Sequence, residues 1–147
     1  MYKIFQMGRV LAIDYGRKRC GVAVTDPLQI CANGLPTVRT CDLMSFLREY
    51  NACNQLDCIV VGLPKMLDGR PSESQRYINP FIQNLKKELP SVSVERFDER
   101  FTSSIAHREM ALAGLKKSRR EDKALADKTA AVIILTDWLN SKKQMQL

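Results

Sequence analysis

Residues 10–26, VLAIDYGRKRCGVAVTD, decide how the rest of the chain is read. Val10, Leu11, Ala12 and Ile13 form an apolar run that ends on a carboxylate, Asp14. Gly16 and three cations, Arg17, Lys18 and Arg19, then lead into a second apolar run, Gly21, Val22, Ala23 and Val24. The pattern predicts two strands joined by a tight basic turn. A buried strand that carries an acid to its tip, beside groups able to hold phosphate, suits phosphate chemistry. A hairpin whose Asp14 only caps the turn fits this stretch equally well when it is taken alone.

Downstream, residues 29–40 carry an interrupted alternation around Ile30, Leu35 and Val38, and Pro36 within it predicts an edge strand. Asp42 offers an N-cap to an amphipathic helix in which Leu43, Phe46, Leu47 and Tyr50 recur at helical spacing. Residues 57–62, DCIVVG, are a short apolar run after a helix, as expected of an interior parallel strand. Residues 63–71, LPKMLDGRP, read as a loop turning at Asp68 and Gly69. Ser72, reciprocated by Gln75, is expected to cap a helix with the apolar stripe Tyr77, Ile78, Phe81, Ile82, Leu85 and Leu89. Pro80 lies within that stretch, so the helix either kinks there or restarts with Asn79 as its cap.

Pro90 closes this helix, and residues 92–97 predict a further strand that finishes at Asp98, Glu99 and Arg100. Thr102 caps a predicted helix that reaches about Ala113 and is closed by Gly114. Residues 115–123, LKKSRREDK, have an excess of cations and almost no apolar content, the pattern of a mobile basic loop. A last helix is expected over residues 124–140, with Ala130, Ala131, Ile134, Leu135 and Trp138 facing inward, before a frayed polar tail at 141–147. No repeat or linker interrupts the series. The expectation is one domain over residues 1–147, with 1–6 as a short extension.

A chain of 147 residues, 45% apolar and 27% charged, can bury one core and reads as soluble and globular rather than disordered. Its formal charge of +7 favours a polyanionic partner, nucleic acid before membrane. The five cysteines are odd in number and no two are spaced C-x-x-C, which argues against a zinc site or a disulfide framework and for a reducing compartment. Residues 1–7 are too short for a secretory signal, and no run approaches the roughly 20 apolar residues of a membrane span. The single histidine, His107, falls in a predicted helix where a surface or packing role is expected, which argues against histidine-rich metal sites and a Ser-His-Asp triad. A metal would have to be held by carboxylates, the chemistry of Mg²⁺ or Mn²⁺.

Three acids stand out. Asp14 ends the first strand. Asp127 shares a helical face with Ala131, Ile134 and Trp138, and a charge on a buried stripe needs a partner or a metal. A place in the first helical turn, favoured by the helix dipole, is the alternative for Asp127. Glu99 falls at the carboxyl end of the last strand, where ligand sites of α/β sheets gather, although a surface pair with Arg96 or Arg100 explains it as well. Two divalent ions held roughly 4 Å apart by such carboxylates activate a water and stabilise the leaving oxygen of a phosphodiester. The cations Arg17, Lys18, Arg19, Arg100, Lys116, Lys117, Arg119 and Arg120 would then contact the nucleic-acid backbone without reading sequence.

Four blocks, AIDYGRKRCGVAVTD, VGLPKMLDGRPSESQ, FDERFTSSIA and ALADKTAAVIIL, resemble in order and spacing the YqgF family, also called RuvX, of the RNase H-like superfamily. The likeness spans about residues 7–140. It implies an α/β fold: a mixed five-stranded sheet, three antiparallel strands and then parallel ones, with helices on both faces. It also implies an acidic cluster of Asp14, Glu99 and Asp127 as catalytic and metal-holding groups. Members are described as nucleases maturing the 5′ end of pre-16S ribosomal RNA in the bacterial cytoplasm, and as Holliday junction resolvases. Related enzymes carry an acid at the end of the fourth strand, where this chain reads Gly62, Leu63 and Pro64, with Glu99 on the next strand as the substitute. The partners implied are precursor ribosomal RNA or branched DNA, and ribosomal particles.

Two rival classes follow from the same residues. Asp14, Tyr15 and Gly16 followed by Gly21 also resemble the phosphate-gripping hairpin of actin-like and sugar-kinase ATPases, which close two such domains over a nucleotide where this chain has one. A nucleic-acid-binding or ribosome-assembly protein without catalysis would use the basic residues and leave Asp14 dispensable.

Overall fold

The computed structural model describes residues 8–63, 73–98 and 120–145, the last with side chains over 130–142. Two short strands of the decisive stretch, β1 (Arg9–Asp14) and β2 (Arg19–Thr25), pair antiparallel, with Asp14 opposite Gly21. Then follow β3 (Ala32–Arg39), α1 (Leu43–Cys53), β4 (Leu56–Leu63), α2 (Gln75–Glu88), β5 (Ser93–Asp98) and α3 (Arg120–Met145). The sheet order is β3-β2-β1-β4-β5. β3 pairs antiparallel with β2, whereas β1, β4 and β5 run parallel. This is the mixed five-stranded sheet expected above, and Pro36 does sit on an edge strand.

Strand alternation divides the core into two layers. Leu11, Ile13, Val22, Ile59 and Val61 face α1 and α2, meeting Leu43, Leu47, Ile78, Ile82 and Leu85. Val10, Ala12, Ala23, Cys58 and Val60 face the opposite way, onto Ala131, Ile134, Leu135 and Trp138 of α3. The strands β1 and β4, buried on both sides, are accordingly apolar without alternation.

Several local expectations are corrected. Asp42 does hold the N-cap position of α1, but its backbone belongs to a 3₁₀ turn over Thr40–Asp42 and its side chain makes no capping hydrogen bond. Helix α2 starts at Gln75 with Ser74 at its N-cap, two residues beyond the expected Ser72, and the Ser74 carbonyl receives the Tyr77 and Ile78 amides. Pro80 lies inside one continuous helix, so there is no restart at Asn79. Helix α3 is longer than expected at both ends: Arg120 to Lys123, read as loop, are helical, and the polar stretch after Asn140 continues the helix to Met145. Arg, Lys and Glu have helix propensities close to those of Leu and Met, so a run without apolar residues can still be helical. Leu63, expected to open the loop at 63–71, is instead the last residue of β4; the rest of that loop and the expected helix at 102–113 lie outside the described residues.

Candidate active-site edge

Because β1, β4 and β5 are parallel, their carboxyl ends share one edge of the sheet. Asp14 is the last residue of β1, half-buried, and alternation places it on the face of Val10 and Ala12, the face that α3 covers. It engages in interactions within the fold. Asp98 ends β5 level with Leu63, so Asp14 and Asp98 stand at the same edge with β4 between them, two strand spacings or roughly 10 Å apart. Phe97 packs on the α3 layer.

The turn after Asp14 is built to be tight. A Cβ on Gly16 would lie 2.3 Å from the Arg19 carbonyl oxygen, so only glycine fits there without a backbone shift. Thr40 Oγ1 donates to the Gly16 carbonyl at 2.7 Å, Cys20 Sγ approaches the same oxygen at 3.8 Å, and the Thr40 amide donates to the Lys18 carbonyl at 3.0 Å. Arg17 and Lys18 are exposed on this turn, and Arg19 is half-buried. The Arg17 guanidinium lies 4.5 Å from the centre of the Tyr77 ring, and Tyr15 packs on Phe81 with ring centres 4.9 Å apart. Burial raises the Tyr15 hydroxyl above its ordinary pKa, with a smaller contribution from Cys20.

On the opposite face Arg96 ties the ends of β4 and α2 together. Its guanidinium donates to the Gly62 carbonyl at 3.3 Å, to Gln75 Oε1 at 3.1 Å and to Asn79 Oδ1 at 3.3 Å. Its Nε is buried with no hydrogen-bond partner among the described residues, and burial lowers the guanidinium below its usual pKa. Helix α3 is fastened to β5 through Glu95, which accepts from Trp138 Nε1 at 3.5 Å and lies 3.4 Å from Lys142 Nζ.

Of the residues singled out by sequence, Asp14, Arg17, Lys18 and Arg19 fall together on this edge. Arg120 and Asp127 belong to α3 by backbone. Glu99, Arg100, Lys116, Lys117 and Arg119 lie outside the described residues. Sequence reading missed Tyr77 and Arg96. Tyr77 is counted in the α2 stripe by spacing but is 39% exposed, and its place beside Ile78, one step off the most buried line, was the available signal. Sequence offered Arg96 only as a surface pair for Glu99; its contacts with Gly62, Gln75 and Asn79 arise from how β5 packs beside β4 and α2.

A family model described as RuvX, Holliday junction resolvase, matches residues 8–141. A Bacteroides thetaiotaomicron protein named "Putative pre-16S rRNA nuclease" is 51% identical over 93% of this chain and 99% of its own length. A Phocaeicola vulgatus protein of the same name is 52% identical over the same shares. The solved structure of T. thermophilus RuvC in complex with a Holliday junction substrate aligns with a TM-score of 0.60 at 19% identity, covering 92% of this chain and 96% of that chain. That likeness establishes a shared fold, the RNase H-like sheet. With an arrangement of strands that agrees and matches that run nearly end to end, this chain belongs to the RuvX family.

Proposed function

We propose that the chain is a divalent-metal-dependent nuclease that cuts phosphodiester bonds in structured nucleic acid, and that its cellular task is to process the 5′ end of pre-16S ribosomal RNA. The observation that carries this reading is Asp14, a half-buried carboxylate at the carboxyl end of the central strand, beside a turn that exposes Arg17 and Lys18. The names of close relatives supply the substrate.

Asp14, Glu99 and Asp127 form the proposed catalytic and metal-holding set. Helical spacing puts residue 127 on the side of Ala131, Ile134 and Trp138, which packs on the sheet face that also bears Asp14. Glu99 follows directly on Asp98, the end of β5. Of this set, Asp14 is the one whose side chain lies among the described residues. An all-carboxylate donor set fits Mg²⁺ or Mn²⁺, which when bound supplies an activated water and neutralises charge on the phosphate. Arg17 and Lys18 hold the nucleic-acid backbone, with Arg19, Arg100, Lys116, Lys117, Arg119 and Arg120 extending the basic surface. The Arg96 contacts with Gly62, Gln75 and Asn79 keep this end of the sheet rigid. Ribosomal precursor particles in the cytoplasm are the partner and place this reading implies. Among the described residues, no helix is long and apolar enough to cross a membrane.

The test is a side-by-side cleavage assay with Mg²⁺ or Mn²⁺ on a precursor 16S RNA and a four-way DNA junction, with Asp14→Asn as control. The wild-type protein should cut the RNA only with metal. Asp14→Asn should bind as well but cut slower by a few orders of magnitude, a loss of several kcal/mol of transition-state stabilisation, on the order of 4 kcal/mol. Cutting confined to the junction would move the substrate to recombination intermediates. An Asp14→Asn protein that cuts at the wild-type rate would remove catalysis from this edge.

A further inference from the structure

The turn after Asp14 and the start of α2 meet in two aromatic rungs. In the inner rung Tyr15 packs on Phe81, both half-buried against the core. In the outer rung the Arg17 guanidinium lies over Tyr77, 4.5 Å from the ring centre. The ladder follows from spacing: Tyr77 and Phe81 are one helical turn apart on α2, and Tyr15 and Arg17 are two residues apart leaving β1. Tyr77 is one of three large apolar residues left exposed among the described residues. The other two, Leu28 and Ile30, are on the loop between β2 and β3.

A singly exposed aromatic ring needs no explanation. This one is set apart by its partner and its position. It is paired with an arginine that begins a basic turn, and that arginine follows Asp14 by three residues in a chain of net charge +7. A ring with a guanidinium against it combines a π-face with a positive charge. Proteins that hold single strands use that combination, stacking unpaired bases on aromatic rings and arginine planes while cations follow the phosphates. Paired bases inside a duplex present no free face to such a platform.

We propose that Tyr77, held by Arg17 beside the Tyr15–Phe81 rung, is a stacking site for one unpaired nucleobase of RNA or DNA on the α2 side of the strand end that carries Asp14. The site gives the protein a preference for single-stranded or frayed segments over continuous duplex. It rests on the nuclease reading for its substrate and on the geometry of the rungs for its chemistry.

The experiment reads binding in EDTA, with no cleavage, by the fluorescence of oligonucleotides carrying 2-aminopurine. The full chain and its Tyr77→Leu, Tyr77→Phe and Tyr77→Trp variants are titrated with single-stranded RNA, single-stranded DNA and a blunt duplex. Tyr77→Leu keeps apolar bulk and loses the π-face, so it should weaken both single strands about ten-fold and leave the duplex nearly unchanged. Phe and Trp should retain binding and base quenching. A Tyr77→Leu protein that binds single strands as tightly as wild type, or that loses duplex affinity to the same extent, overturns the stacking site. Comparable affinity for RNA and DNA fits a base platform, whereas a strong RNA preference that survives Tyr77→Leu assigns discrimination to other groups and overturns the site. Because no metal is present, failure of the nuclease reading shows in the cleavage assay and failure of this site in the titrations.

Discussion

Thr40 Oγ1 donates a 2.7 Å hydrogen bond to the carbonyl of Gly16, joining the residue after β3 to the turn after Asp14. The partner that remains if this donor is lost is the Cys20 thiol, a weaker one at 3.8 Å. Thr40→Val keeps the shape and removes the hydroxyl, which should cost about 1 kcal/mol or somewhat more. Urea unfolding should show a lower midpoint with an unchanged slope. A midpoint equal to wild type would mean the bond adds nothing to the fold.

Asp26 closes the loop between β2 and β3 by accepting from the amides of Cys31 and Ile30 at 2.8 Å each and of Leu28 at 3.1 Å. The Cys31 bond is the main reason its carboxyl sits below the ordinary pKa, with desolvation opposing and the other amides assisting. A depressed folded-state pKa gives stability that is present above the unfolded carboxylate value and disappears as pH falls through the folded one. Asp26→Asn should therefore melt lower than wild type near about pH 7, and the gap should narrow progressively as pH falls below the ordinary carboxylate value of about 3.9. A gap that stays constant across the acid limb would contradict this sign.

Burial pushes the Cys58 thiol up to about 12, helped by the charge of Glu95 and by the 3.4 Å hydrogen bond to it. Cys20 is also buried, whereas Cys31, Cys41 and Cys53 are exposed. Brief alkylation of the native protein at mildly alkaline pH should label Cys31, Cys41 and Cys53, and intact-mass spectrometry should find Cys20 and Cys58 labelled only after denaturation. Early labelling of Cys58 would show that the contact between β4 and α3 opens readily.

The parts of the fold that sequence revealed are those set by local pattern. The apolar run at 10–13, the cations after Asp14 and the helical spacing of Leu43 and Leu47 each have one good solution. Asp14 was legible as a candidate for the same reason, since a carboxylate closing an apolar run stands at a strand end in any register. The boundaries of α3 were not legible: Arg120 to Lys123 lack apolar residues, and without apolar periodicity a helical stretch looks like a polar loop. The two rungs beside Asp14 were hidden for a different reason. Arg17 and Tyr77 are far apart in the chain, and their meeting depends on where α2 packs, which no window of sequence contains. The same holds for the grip of Arg96 on Gly62, Gln75 and Asn79.

The middle position of β1, bonded on one side to β2 and on the other to β4, has a consequence for how the protein breathes. Its amides should be among the last to exchange with deuterated water, because both neighbours must peel away before solvent reaches them. Fraying of β3 or β5 at the margins leaves Asp14 where it is. The carboxylate proposed above as catalytic is thus carried by the portion of the molecule expected to be among the last to let go.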